Sequence, residues 1–198
     1  YGEILSEVSN ENQEEIATIL EQTEKLDFLI QSLVKLSRME SGIIAVHSED
    51  TTIKQMLESI QQQFNAKVRE KNITLSLCDT DLHVRCDAKW TVEALGNIVD
   101  NAIKYTACGG NVQIKVEQYS FFVKIDIIDD GIGIEKEEIP KIFGRFYRSL
   151  SVADQPGVGI GLFLAREIIQ AQKGYIKVTS KRGKGSTFSV FLPIAKKE

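Results

Sequence analysis

The sequence predicts an α/β two-layer sandwich, a mixed sheet with helices on one face, preceded by an α-helical hairpin fragment. Three observations carry this. Short runs of alternating apolar and polar residues are interleaved in mixed order with helix-period segments, the pattern of a sheet layer packed on a helix layer. Before Gly42 a long stretch free of Pro and Gly steps its apolar residues by threes and fours. Finally, 198 residues, 42% hydrophobic and 26% charged, suit one ordinary globular domain with room for an additional segment.

The elements follow in chain order. A long helix is expected from Asn12, which can cap it, with Glu15 at the third position of a capping box. Its Ile16, Ile19, Thr23, Leu26, Ile30 and Leu33 form a heptad seam, which Leu20, Leu29, Val34 and Leu36 widen beyond a two-stranded coil. A helical hairpin that dimerises into a four-helix bundle fits that stripe better than a lone core helix. After Gly42 the composition changes. GIIAVH (42–47) reads as a strand, 51–71 as an amphipathic helix, ITLSLC and HVRC as strands, and 88–105 as a second helix. Following a CGG turn, VQIKVEQ and FFVKIDII alternate as a β-hairpin, 158–172 is helical, and YIKVTS and STFSVFLP close the chain as strands. This organisation divides the chain into a helical segment at 1–41, a linker at 42–49 and the sandwich at 50–198.

Charge and cysteine content narrow the class. A net charge of -4 supplies no basic field, so nucleic acid is not an expected partner. Cys78, Cys86 and Cys108 are odd in number and lack metal-site spacing, which fits a reducing compartment better than a disulfide framework or zinc. No stretch reaches the roughly 18–20 apolar residues of a membrane span, and the first residues do not show a charged n-region followed by an apolar h-region. It starts at Tyr1, without Met, in residues that already read as helix, which suggests the inside of something longer.

The helix at 88–105 contains GNIVDNAIKYT (96–106). At about 100° per residue, Glu93, Asn97, Asn101 and Lys104 share an arc of roughly 80°, while Ala94, Leu95, Ile98, Val99, Ala102 and Ile103 fill the packing face. A solvated polar stripe is the plain account. Asn, however, lowers helix propensity by on the order of half a kcal/mol each time, and a merely solvated face gains more from Glu, Lys or Gln. A carboxamide can offer a neutral oxygen to a hard cation and an N–H to an oxyanion, the two duties of a Mg-phosphate site.

Glycines downstream extend that reading. IDIIDDGIGI (125–134) places two acids and G-x-G directly after an apolar strand. A hairpin turn is excluded by the charged, helix-like EKEEIPKIF that follows. Instead the glycines admit close approach of a ligand, and Asp129 can accept from an exocyclic amine. PGVGIGLFLAREII (156–169) runs Gly157, Gly159 and Gly161 straight into a helix, whose N-terminal amides suit phosphate. SVADQ, not a strand, precedes it, which argues against a dinucleotide fingerprint; GKGST lacks the spacing of a P-loop. In IFGRFYR, Phe143 and Phe146 read as packing anchors, with Arg145 and Arg148 facing solvent or a polyphosphate.

Together these segments resemble the ATP-binding catalytic domain of sensor histidine kinases, in the superfamily shared with gyrase B, Hsp90 and MutL. ALGNIVDNAIKYT is similar to the N box, IDIIDDGIGI to the first glycine box, IFGRFYR to the phenylalanine box, GVGIGLFLA to the second glycine box and GKGSTF to the short final motif. The resemblance spans about residues 50–193, and residues 1–41 resemble part of the dimerisation and phosphotransfer hairpin. It implies ATP and Mg2+ as cofactors, with Asn97 ligating the metal, Asn101 and Lys104 contacting phosphates, and Tyr105 packing near the nucleotide. Asp129 then reads the adenine amino group, Gly131 and Gly133 shape its pocket with Ile134, and Arg148, with Arg145, approaches the terminal phosphates. Residues 145–156 become an ATP lid hinged at Gly157, Gly159 and Gly161, with Val158, Leu162 and Thr187 lining the nucleotide. Glu93, one turn before Asn97, sits where the superfamily often keeps a polar or acidic residue near the metal-bound water. Gly144 and Pro156 depart from the pattern, where an acid and a glycine are usual.

The resemblance further implies transfer of the γ-phosphate of ATP to a histidine and then to an aspartate of a response regulator. It also implies a homodimer through the hairpin, a cytoplasmic location for this region and a membrane anchor for the whole protein. His47 and His83 lack the context of an acceptor histidine, which is expected upstream of Tyr1. A non-catalytic nucleotide-sensing dimer module, or another ATPase of the superfamily, is the alternative.

Overall fold

The computed structural model describes residues 13–40, 46–149, 152, 155 and 157–195. The chain divides into two compact units. The smaller holds the long helix α1 (Gln13–Glu40) together with Gly157 and Val158; the larger comprises Val46–Val152 and Gly159–Glu198. The expected cap Asn12 and residues 42–45 of the expected strand lie outside the described residues. Val46 and His47, the rest of that expected strand, are irregular instead.

Helix α1 spans 28 residues. Its seam is open: Ile19, Leu26, Ile30, Leu33 and Val34 are 40–58% exposed. No helix among the described residues is long and apolar enough to cross a membrane.

The larger unit runs β1 (Glu49–Thr52), α2 (Ile53–Glu70), β2 (Thr74–Leu77), β3 (His83–Cys86), α3 (Ala88–Tyr105), β4 (Asn111–Gln118), β5 (Phe122–Asp129), α4 (Gly161–Ala171), β6 (Tyr175–Ser180) and β7 (Ser186–Pro193). Five strands form one mixed sheet in the order β2-β4-β5-β7-β6, parallel only between β2 and β4. The strand HVRC does not join it. Instead β3 pairs antiparallel with β1 in a separate two-stranded sheet, because the residues flanking α2 offer β3 a partner that the sequence reading assigned to α2 itself.

Helices α2, α3 and α4 cover the sheet through one continuous core. Ile53, Met56, Leu57 and Ile60 of α2, Leu95, Ile98, Val99 and Ile103 of α3, and Leu164, Ile168 and Ile169 of α4 are buried with Ile114, Ile125, Ile127, Val190 and Leu192 of the strands. The other sheet face carries the alternate residues, where Tyr175 stacks on Phe191 at 4.4 Å and Lys124 bonds Glu117 and Asp126. The alternation predicted for β4, β5 and β7 is therefore that of a two-sided sheet with one apolar face.

Helix α3 has the boundaries its pattern predicts. Asp87 caps its start, with Oδ1 accepting from the Trp90 amide at 3.2 Å, and Lys71 Nζ donates to the terminal carbonyls of Ile103 and Lys104 at 2.9 and 2.6 Å. Residues 135–143, expected to be helical, form successive turns, such as Glu138 N to Glu135 O at 2.9 Å and Ile142 N to Glu138 O at 3.1 Å. Pro140 lacks an N–H and crowds the carbonyl four residues earlier, so a helix cannot propagate through it.

Two glycines separate tolerance from intolerance. A Cβ on Gly96, which faces α2, meets Gln63 and Phe64 no closer than 3.7 Å. One on Gly185, at φ +85°, would stand 1.9 Å from the Asp129 carbonyl oxygen. We expect Gly96→Ala to stabilise the protein by up to ~1 kcal/mol through helix propensity, and Gly185→Ala to destabilise it by ~3 kcal/mol or more, as read from denaturant midpoints.

Candidate functional site

The polar stripe of α3 is not solvated. Glu93, Asn97, Asn101, Lys104 and Tyr105 are all half-buried. Asn97 donates Nδ2 to the carbonyl of Glu93, one turn earlier, at 2.9 Å. That bond turns the acceptor Oδ1 outward, against the first residue of α4: a Cβ on Gly161 would lie 2.9 Å from it. The start of α4 thus lies close against the Asn97 carboxamide, and a Cβ at Gly161 would force that side chain to shift.

At this end α4 has no side-chain cap, and its first intrahelical bond is from Leu164 N to Ile160 O at 2.9 Å. The amides of Gly161, Leu162 and Phe163 precede that bond and carry the positive end of the helix dipole. Two residues earlier Gly159, at φ +78°, packs so that a Cβ would fall 2.6 Å from the Tyr147 carbonyl oxygen and 2.8 Å from the Phe146 carbonyl carbon. Gly157, at φ +144°, and Val158 belong to the smaller unit.

Gly159 explains a departure in the phenylalanine box. Phe146, read as an anchor, is 55% exposed with φ +60°: its backbone, not its ring, is what the glycine contacts. Phe143 is half-buried, with the Arg166 guanidinium 5.6 Å from its ring centre. The two arginines of the box separate. Arg145 stacks over Phe163 at 4.7 Å, whereas Arg148 donates to the Val152 carbonyl at 3.1 Å and lies close enough to Lys104 to act on its charge.

Burial lowers the pKa of Lys104, and repulsion from Arg148 lowers it further. Its ammonium also stands 4.8 Å over the Tyr105 ring. Burial raises the Tyr105 pKa, with Arg148 acting in the opposite sense. Two cations held side by side, half out of water, form a site that gains from an anion.

The far end of α3 meets the end of β5. The Ile132 amide donates to the Tyr105 carbonyl at 3.2 Å, and a Cβ on Gly131 would lie 2.5 Å from that same oxygen. Asp129 is 7% exposed. Its Oδ1 accepts from the amides of Gly131 and Ser186 at 3.0 and 3.2 Å, while no described residue donates to Oδ2. Burial raises its pKa, with the two amide bonds opposing. Gly133, at φ +66°, brings its backbone against the Lys181 carbonyl, and the Ile134 amide donates to Ser180 Oγ at 2.8 Å.

Thr187, expected to line the nucleotide, pairs with Ile128, on the strand face opposite Asp129. Ser186 pairs with Asp129 and supplies the amide, and its hydroxyl lies 2.9 Å from Ser180 Oγ. Both serines were missed. Strand parity with the buried Phe188 was the signal that could have found Ser186.

The sequence-predicted residues of the larger unit therefore converge along α3, with Glu93, Asn97 and Gly161 at one point, Lys104 and Arg148 at the next, and Tyr105, Gly131 and Asp129 at the end. Arg145 lies over Phe163 in the first turn of α4, and Thr187 is on the strand face opposite Asp129. Among the described residues no three His, Cys, Asp or Glu side chains group as a metal cage.

Residues 86–196 match the family model described as histidine kinase-, DNA gyrase B-, and HSP90-like ATPase. The chain is 33% identical to the sensor histidine kinase WalK of Bacillus subtilis, over 98% of its own length and 33% of the relative's, so it spans about a third of that protein. Among solved structures, the Acinetobacter baumannii histidine kinase AdeS aligns at TM-score 0.72 and 25% identity over 98% of this chain and 90% of that one. The histidine kinase ThkA in complex with response regulator protein TrrA shares the fold at TM-score 0.74 and 22% identity, over 94% of this chain and 51% of that one.

The buried carboxylate yields a pH prediction. Because the Asp129 pKa is raised on folding, the folded state holds the proton more tightly, and stability falls as pH rises from the unfolded towards the folded pKa. Asp129→Asn keeps the Oδ1 acceptor and removes the charge. We expect it to raise the thermal midpoint, with a larger gain at neutral pH than in acid.

Proposed function

The chain belongs to the histidine kinase-, DNA gyrase B-, and HSP90-like ATPase family and carries the ATP-binding catalytic domain of a sensor histidine kinase, and from that premise we propose that it binds ATP with Mg2+ along α3. The observation that carries this is the convergence of the Asn97 carboxamide, the uncapped start of α4 and the Lys104–Arg148 cation pair on one helix face, with Asp129 at its far end.

Each residue has a distinct duty in this reading. The ionised Asp129 accepts from the exocyclic amine of adenine through Oδ2, since its other oxygen is occupied by the chain itself. Gly131 and Gly133 keep that pocket open to the base. The amides of Gly161 and Leu162, Asn101, Lys104 and Arg148 hold the phosphates. Asn97 fits a hard cation, as its Nδ2 is engaged and its oxygen is presented. Asn97 would supply a neutral oxygen ligand to such a cation, which when bound would neutralise phosphate charge. Glu93, one turn away, is placed to orient a water of that cation.

In this reading the γ-phosphate passes, in the whole protein, to a histidine and then to an aspartate of a response regulator; one relative is named a sensor histidine kinase, and ThkA is solved in complex with a response regulator protein. In this reading neither histidine of this chain is the acceptor, since His47 and His83 both lie in the larger unit and not in the helical segment. The chain alone therefore binds nucleotide without labelling itself. The open apolar seam of α1 supports pairing of the helical segments of two copies.

Isothermal titration tests the metal assignment. Asn97→Ala is expected to remove the Mg2+-dependent increment of ATP affinity, about tenfold or more for a lost charge-assisted ligand, while magnesium-free binding persists. An unchanged increment returns the asparagines to a structural role. Because the Asp129 pKa is raised, affinity also declines on acidification at a higher pH than an ordinary aspartate would give.

A further inference from the structure

Beyond its general packing on α3, helix α4 meets that helix at two points of close or polar contact. One is the contact of Gly161 with Asn97. The other lies at the opposite end of α4 and is made by a single buried side chain. Gln172, the C-cap of α4, is 3% exposed and forms three bonds. Its Oε1 accepts from the Asp87 amide at 2.7 Å and from Thr91 Oγ1 at 3.2 Å, and its Nε2 donates to the Ile168 carbonyl at 3.2 Å.

The partners are informative. Asp87 caps α3, and Thr91, wholly buried, lies in its first turn. Ile168 lies in the last turn of α4. One carboxamide thus joins the beginning of α3 to the end of α4, and α4 carries no charged residue in its last turn that could do so otherwise. Leu95 of α3 and Leu164 and Ile168 of α4 are buried in the core, and apolar packing tolerates sliding better than directional bonds do.

We propose that Gln172 is a positioning residue for the nucleotide site: by fixing the register of α4 along α3, it holds the glycine amides at the start of α4 against Asn97 without touching the ligand. This rests on the reading of Asn97 and Gly161 as the metal and phosphate end of the site. Gln172 acts on that end alone. Asp129, at the end of β5, is bonded to Gly131 and Ser186 and owes nothing to the register of α4.

The test separates the two ends. For Gln172→Leu, affinity for Mg·ATP falls about three- to tenfold, the range of one net hydrogen bond, while affinity for adenosine, which lacks phosphates, stays at the wild-type value. Thr91→Val, which removes one of the three bonds and keeps the volume, gives a smaller loss in the same direction with the fold undisturbed. Wild-type Mg·ATP affinity in both variants, or equal proportional losses for Mg·ATP and adenosine, overturns the proposal. Asn97→Ala in the same series distinguishes the failures: if it abolishes the Mg2+ increment while Gln172→Leu changes nothing, only the positioning role falls, and if it has no effect the reading of the site falls with it.

Discussion

Close approach of backbone to helix α3, at two points where a Cβ would collide, is the constraint on which the rest of the site depends. Gly161 rests on the Asn97 carboxamide and Gly131 on the Tyr105 carbonyl, two turns further along. Those contacts set α4 at one end of the polar face and the β5 terminus at the other, so that a single helix spans the whole candidate site. Its apolar side, meanwhile, is locked between α2, α4 and the sheet, which leaves the polar face no freedom to rotate.

The charges are arranged around that spacing. At one end a carboxylate sits under the surface on two amide donors, destabilised by its own burial. Lys104, one residue before Tyr105 on α3, and Arg148 repel each other. Neither arrangement favours the empty fold, and both favour a ligand with a hydrogen-bond donor at one end and negative charge at the other. Strain of this kind, concentrated at one surface of an otherwise well-packed domain, is the usual mark of a site at which stability and function compete.

Much of this was legible in the sequence, for identifiable reasons. Helix α3 was bounded correctly because its cap and its period both speak locally, and Tyr175–Ser180 and Ser186–Pro193 because strict alternation does the same. What escaped depends on distant partners. Pairing of β1 with β3 is decided across α2; the choice of Ser186 over Thr187 is decided by register with β5; the outward turn of Phe146 is decided by Gly159, thirteen positions away. Gln172 gave no signal at all, since a glutamine after a helix reads as surface until Asp87 and Thr91 are brought to it. The helix expected over EKEEIPKIF failed on Pro140, a residue whose effect was readable and was outweighed by the surrounding charge pattern.

Amide chemical-shift mapping with Mg2+ and a non-hydrolysable ATP analogue tests the central claim, that one nucleotide spans α3 from Asn97 to Asp129. The account predicts the largest changes together at Asn97, Asn101, Gly131 and Gly161, with Tyr175 and Phe191 on the opposite sheet face unmoved. Changes confined to one end of α3, or centred on that opposite face, would contradict it.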